Sequence, residues 1–178
     1  VFRQQVMNDN RVANVSASGY LPAGESDNNN FFVSPGLQST QMVKTLRYEV
    51  DENYIVTLGI HLLNGRNFSK QFGTDSASVI MNEAAVNAMG WNGDKALGQV
   101  ISRVSKRCEK EIYTVIGVVK DFHFRPFHER ISPLLLVLAP DQGSLIVKLK
   151  TTDAVASIAS LKARRAELGT EEPLAYSF

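Results

Sequence analysis

Three stretches of this 178-residue chain predict an α+β fold. In residues 113–124, YTVIGVVKDFHF, the side chains of Val115, Ile116, Val118 and Val119 make a nearly continuous β-branched run. Branched Cβ atoms fit a pleated surface better than a helical turn, and a run apolar on both faces predicts a strand covered on both sides. Near the end, Leu145, Val147 and Leu149 alternate with Ile146, Lys148 and Lys150 as a strand, followed by a helical stretch and a second strand-like run, a β-α-β unit. Between them, residues 78–81 (SVIM) form a brief strand that passes straight into a helix over residues 83–89.

The local signals place each element in turn. Phe2 and Val6, four residues apart, share one face of a short helix ending near Asn8. Ala13, Val15 and Ala17 alternate with Asn14, Ser16 and Ser18, which gives a partly exposed strand over residues 12–18. Residues 21–30, LPAGESDNNN, are loop by composition. Phe31 to Val33 starts another strand, and the half-apolar residues 42–50 read as an edge strand. Tyr54, Ile55 and Leu58 form a short helix that Gly59 ends, because glycine accepts the left-handed backbone of a helix terminus. Residues 60–63 are extended, Asn64-Gly65 is a turn dipeptide, and His61 is read as a packed side chain rather than a ligand.

Asn82 is the expected N-cap of the helix that follows it, with Glu83 at the positive end of the helix dipole. Val100-Ile101 begins a strand, and the charged residues 103–111 connect it as a hairpin to the central run, where Gly117 marks a bulge or a close backbone approach. The apolar residues 134–139 follow, then a turn at 141–143. Thr152 or Asp153 caps a last helix through Leu168, with Val155, Ile158 and Leu161 on its inner side and Gly169 closing it.

Composition narrows the function classes. A chain of this length buries roughly 70% of its unfolded surface, enough for a sizeable core in one domain or two small ones. Nineteen basic and eighteen acidic residues give a net charge of +1 with no tract of one sign, which argues against nucleic-acid or membrane-surface binding. Cys108 is alone, so no disulfide framework exists within the chain. The longest apolar run is far short of the roughly 20 residues a membrane helix needs. The chain begins at Val1-Phe2 inside a pattern and stops at Phe178 straight after a strand-like run, as an excised fragment would.

Chemical motifs are sparse. Three glycines and Lys95 lie in residues 90–98 without the Gly-Lys-Ser/Thr order of a phosphate-binding loop, and there is no Gly-x-Ser-x-Gly elbow. Cys108 has a neighbouring cation and no identifiable histidine partner. Asp121, His123 and His128 form the one candidate metal set, since Asp121 and His123 share a side of a continuing strand and His128 can fold back after Pro126. That set supports a small metal-dependent hydrolase; the bland reading is a turn whose polar groups cap one another. Phe122, Phe124 and Phe127 either fill a core or form a patch that docks a partner, and Arg125 alone is too little charge for nucleic acid. A soluble ligand-binding receptor is a third class, recognisable by a closed apolar pocket.

Taken together, YIVTLGIHLLNGRNFS (54–69), SVIMNEAAVNAMGW (78–91), ALG (96–98), YTVIGVVKDFHFRPFHERISPLLL (113–136) and PLAYSF (173–178) resemble, in order and spacing, the extracytoplasmic (periplasmic) core domain of MacB-type and FtsX-like ABC transporter permeases. The resemblance runs from about Val12 onward; the Asn-rich loop and residues 103–111 match no pattern of the family. It implies two lobes: a membrane-proximal β-α-β lobe from residues 1–35 and 137–178, and a mixed α/β lobe inserted at 36–136. It further implies a domain lying between the first two membrane helices of a permease. Such a domain has no cofactor or catalysis of its own and passes on ATPase-driven motion in efflux or extraction. The implied partners are a cytoplasmic ATP-binding subunit or domain, a second permease subunit, and an adaptor or exported protein or peptide.

Overall fold

The computed structural model describes residues 2–19, 30–104, 110–123, 131–139, 144–167 and 176. In chain order these form α1 (Phe2–Met7), β1 (Val12–Ser18), β2 (Asn30–Pro35), β3 (Val43–Val50), α2 (Tyr54–Leu58), β4 (Leu62–Gly65), β5 (Ser78–Asn82), α3 (Glu83–Ala88), β6 (Val100–Val104), β7 (Lys110–Val119), β8 (Leu134–Leu138), β9 (Ser144–Leu149) and α4 (Ala154–Ala166), a mixed α and β architecture. Short 3-10 turns lie at Gly73–Ala77 and Gly93–Lys95.

The strands belong to one sheet that closes on itself. β2, β6, β7, β5, β8 and β3 follow one another, and β3 pairs again with β2, so six strands make a ring. The β3–β8 and β5–β7 pairs are parallel and the other ring pairs antiparallel. β4 lies against β7 outside the ring, while β1 and then β9 extend from β3.

Because successive side chains on a strand point to opposite faces, the ring strands feed two cores. Val33, Val43, Val79, Ile101, Val115 and Leu135, drawn from all six ring strands, fill the inside, where Ala85, Val86 and Met89 from the α3 segment pack against them. Tyr48, Ile80, Leu134 and Leu136 face outward and are covered by Tyr54 and Ile55 of α2 and by Phe68. A third, smaller core gathers Val6, Val12 and Val15 with Phe2, Leu145, Val147, Leu149 and Leu161, joining α1, β1, β9 and α4.

Most local expectations hold. Val115 and Val118 pack on the inner core while Ile116 and Val119 pack on the outer one, as a strand covered on both faces requires. A bulge makes this pattern possible: Val79 is opposite Val115 and Ile80 is opposite Gly117, so Ile116 is skipped and the inward alternation resumes at Val118. Asn82 caps α3 by accepting the Ala85 N–H at 3.0 Å, Asp153 caps α4 by accepting that of Ala156 at 3.0 Å, and Gly59 ends α2 with φ 70°.

Other expectations are corrected. Residues 42–50 are no edge: β3 runs between β2, β8 and β1, and its two apolar sets serve different cores. Asn64-Gly65 makes no hairpin turn; it ends β4, which pairs with β7. His61 is exposed, because the inward alternation falls on Ile60 and Leu62. Val155 is not on the inner side of α4: it is 81% exposed, and the buried stripe runs instead through Ser157 toward Leu161. β9 leads into α4 as expected, whereas the loop at 21–29, Cys108, the end of the helix at Gly169 and all but Tyr176 of the final strand-like run fall outside the described residues.

Candidate functional site

The end of β7 delivers Asp121 to the start of α3. The Asp121 Oδ1 accepts the Ala84 N–H at 3.0 Å, and the Glu83 Oε2 accepts the Asp121 N–H at 3.0 Å. A helix start leaves backbone N–H groups without partners inside the helix, so a carboxylate there satisfies one and complements the dipole. Next to this pair, Asn82 is fully buried. Its Oδ1 also accepts the Leu134 N–H at 2.8 Å, and its Nδ2 donates to the Ser132 carbonyl at 3.1 Å. The segments NEAA and VVKDF, distant in sequence, thus interlock where β5, α3, β7 and β8 converge.

This geometry decides the standing of the predicted site residues. Asp121 is half-buried and serves α3, and His123 is exposed. His128, Phe124 and Phe127 lie outside the described residues. Phe122 is half-buried against the outer core beside Ile131 and Val119. Among the described residues no group of three or more His, Cys, Asp or Glu is placed to hold a metal ion.

A second knot forms around residues 65–75. Gly65 and Gly117 are opposite one another in the β4–β7 pairing. A Cβ on Gly65, whose φ is 80°, would stand 2.2 Å from the Ile116 carbonyl oxygen, and one on Gly117 would stand 2.6 Å from that of Arg66. The two backbones approach this closely because neither residue has a side chain. Beyond Gly65, Arg66 grips the buried Asp75 through two parallel bonds, Nη1 to Oδ2 at 2.9 Å and Nη2 to Oδ1 at 2.6 Å, and its guanidinium lies 4.3 Å from the centre of the Phe72 ring. The Ser69 N–H donates to the same carboxylate at 2.9 Å. The hydrogen-bonded Arg66 therefore holds the Asp75 carboxyl below its ordinary value, against the opposing effect of burial.

Two further buried aspartates were not legible as anything but turn residues. Asp9 accepts the Ser160 hydroxyl at 2.6 Å and the Arg11 N–H at 3.0 Å, with Arg164 at 3.4 Å, and these donors hold its carboxyl low. Asp51 accepts the Ser16 hydroxyl at 2.6 Å, the Asn53 N–H at 3.0 Å and the Ala17 N–H at 2.9 Å, with the Arg3 guanidinium at 2.6 Å. No sequence pattern announces their burial, since their hydroxyl donors, Ser16 and Ser160, come from 35 and 151 residues away along the chain. Each of these carboxylates is engaged by several donors, an arrangement that holds the elements it touches in register.

No family model matches the sequence, and no curated protein is similar to it at a significant level. Solved structures do match. The periplasmic region of MacB from Actinobacillus actinomycetemcomitans aligns with 94% of this chain and 72% of its own length, at a TM-score of 0.61 and 17% identity. The extracellular domain of the noncanonic ABC-type transporter YknZ from Gram-positive bacteria covers 96% of this chain and 84% of its own length, at 0.63 and 14%. A domain of a protein assigned as a permease from Porphyromonas gingivalis covers 94% and 76%, at 0.65 and 13%. The chain has the fold of these three domains.

Proposed function

We propose that this chain is the extracytoplasmic domain of an ABC transporter permease subunit, without catalysis of its own. Its role is to pass motion driven by a cytoplasmic ATPase to a substrate or partner protein outside the membrane. The observation that carries this reading is the likeness in fold, over at least 94% of the chain, to the periplasmic region of MacB, the extracellular domain of YknZ and a permease domain. The interlock of Asn82, Glu83 and Asp121 supports it: the most telling sequence segments serve rigidity, and Asp121 is taken up in holding α3. No described helix is long and apolar enough to cross a membrane.

In this reading the domain stands on the outer side of the inner membrane, and two permease subunits work with ATP-binding subunits or domains. An adaptor or an exported protein or peptide meets it outside, with Phe122, Phe124 and Phe127 at the exit of β7 as a contact. The terminal lobe, residues 1–35 and 137–178, would have α1, β1, β9 and α4 as its core, and the inserted lobe, residues 36–136, most of the strand ring. The test is the full reading frame expressed in membranes. One hydrophobic span before Val1 and further spans after Phe178, with co-purification of an ATP-binding protein, is the expected result. A frame without spans on either side, or ATP hydrolysis by the isolated chain, overturns the reading.

A further inference from the structure

We infer that α1, β1, β9 and α4 turn as one body against the strand ring, and that the Asp51 carboxylate is the pivot of that joint. The contrast in pairing comes first. β1 and β9 share six register pairs, from Val12–Leu149 to Ser18–Ser144. Among the described residues β1 meets β3 at one, Ser18–Val50, with hydrogen bonds from the Gly19 N–H to the Glu49 carbonyl and from the Asp51 N–H to the Ala17 carbonyl.

The two faces of the β1–β9 ribbon differ in the same sense. Val15, Leu145, Val147 and Leu149 point toward α1 and α4 and are locked by apolar burial. The opposite face, toward α2 and the ring, presents Asn14, Ser16, Ser18, Ser144 and Lys148, with Ile146 as its large apolar contact to the outer core. Little apolar area is uncovered when such a face shifts, and its buried hydroxyls, Ser16 on Asp51 and Ser18 on the Glu49 carbonyl, limit the shift to the reach of their hydrogen bonds.

Asp51 is what crosses the joint. Its side chain is fully buried where β3 ends, and its donors come from α1 (Arg3), from β1 (Ser16 and Ala17) and from the turn into α2 (Asn53). A carboxylate offers about four acceptor sites over a wide range of directions, so it keeps donors on both bodies as their angle changes. On the far side Asp9 ties the α1–β1 turn to Ser160 and Arg164 of α4, so that the terminal elements move together. What such a motion serves rests on the proposed function; the joint itself does not.

The joint is tested on the 178-residue chain with Cys108→Ser, by pulsed electron–electron distances between paired spin labels. One pair joins Val155→Cys on α4 to Ile112→Cys on β7; a control pair joins Leu63→Cys to Ile112→Cys. Asp51→Asn is expected to widen the first distance distribution about twofold while the control stays within error, as a hinge between two packed bodies requires. Ser16→Ala, which removes one donor and no charge, is expected to widen it less and carries the test should Asp51→Asn not fold. Unchanged widths in every variant that folds, or equal broadening of both pairs, overturn the inference. A reading frame without membrane spans would sink the proposed function and leave these distances standing.

Discussion

The strand ring and the terminal unit use the same elements and hold them by different means. The ring strands β3, β5, β7 and β8 place apolar side chains in both cores, the inner one and the outer one covered by α2 and Phe68, while β2 and β6 supply only the inner one. In the terminal unit, α4 turns Ser157, Ser160 and Leu161 inward while Val155 stays in solvent, and a buried aspartate completes the packing. Burying a Leu or Val side chain contributes roughly 1.5–3 kcal/mol without regard to direction, whereas a hydrogen bond to a charged group contributes a similar amount only while its geometry lasts. The ring should therefore be the more stable of the two bodies, and the terminal unit, though it moves as a whole, the less stable.

The contrast can be broken most directly at the ring. Gly65→Ala adds a Cβ against the Ile116 carbonyl at a positive φ, and a loss of about 3 kcal/mol or more is expected in urea unfolding. A near-neutral result would mean that the β4–β7 contact yields easily and that β7 is not held firmly at Ile116 and Gly117.

Asp75→Asn leaves Arg66 without its bidentate partner. Because Arg66 is partly exposed, the expected loss is about 2 kcal/mol, below that of a fully buried pair. The same variant sharpens the pH dependence. The folded-state pKa of Asp75 is lowered, so its stabilisation is present above the ordinary aspartate value of 3.8 and is lost as pH falls through the folded value. The variant should lose less stability than the parent between neutral pH and pH 3, as read by thermal melts.

Asn82→Ala removes the α3 cap together with the bonds to Leu134 and Ser132, and about 2 kcal/mol is expected. Asp9→Asn tests the other side of the comparison. It is expected to cost about 1 kcal/mol. Amide exchange should quicken in α1, β1, β9 and α4 while Val118 and Leu135 stay protected. Uniform loss of protection would erase the distinction between the two regions. At the bottom of the scale, Val155→Ser should change stability by less than about 0.5 kcal/mol, since the side chain is 81% exposed.

Much of the candidate site was legible as residues and little of it as geometry. Asp121 stood out in the sequence beside two histidines, yet its carboxylate bonds to Ala84, 37 residues earlier. Gly117 reads as a bulge or a close approach; the close approach is its own and the bulge falls beside it at Ile116, while its counterpart Gly65 reads as a turn. The Arg66–Asp75 grip and the donors around Asp9 and Asp51 carry no periodic signal at all.

The sequence by itself determined the elements whose causes lie within a few residues. These are the cap at Asn82, a cap at Thr152 or Asp153, the helix end at Gly59, the alternation of β9, and the doubly apolar run of β7. Tertiary structure alone decided that β2 closes the ring onto β6, that β3 lies inside the sheet, that Val155 faces water and that three aspartates are buried. The reason is one of range. Caps and periodicity arise from interactions between near neighbours along the chain, while strand partners and the burial of a charge depend on which distant segments supply the matching backbone and donors.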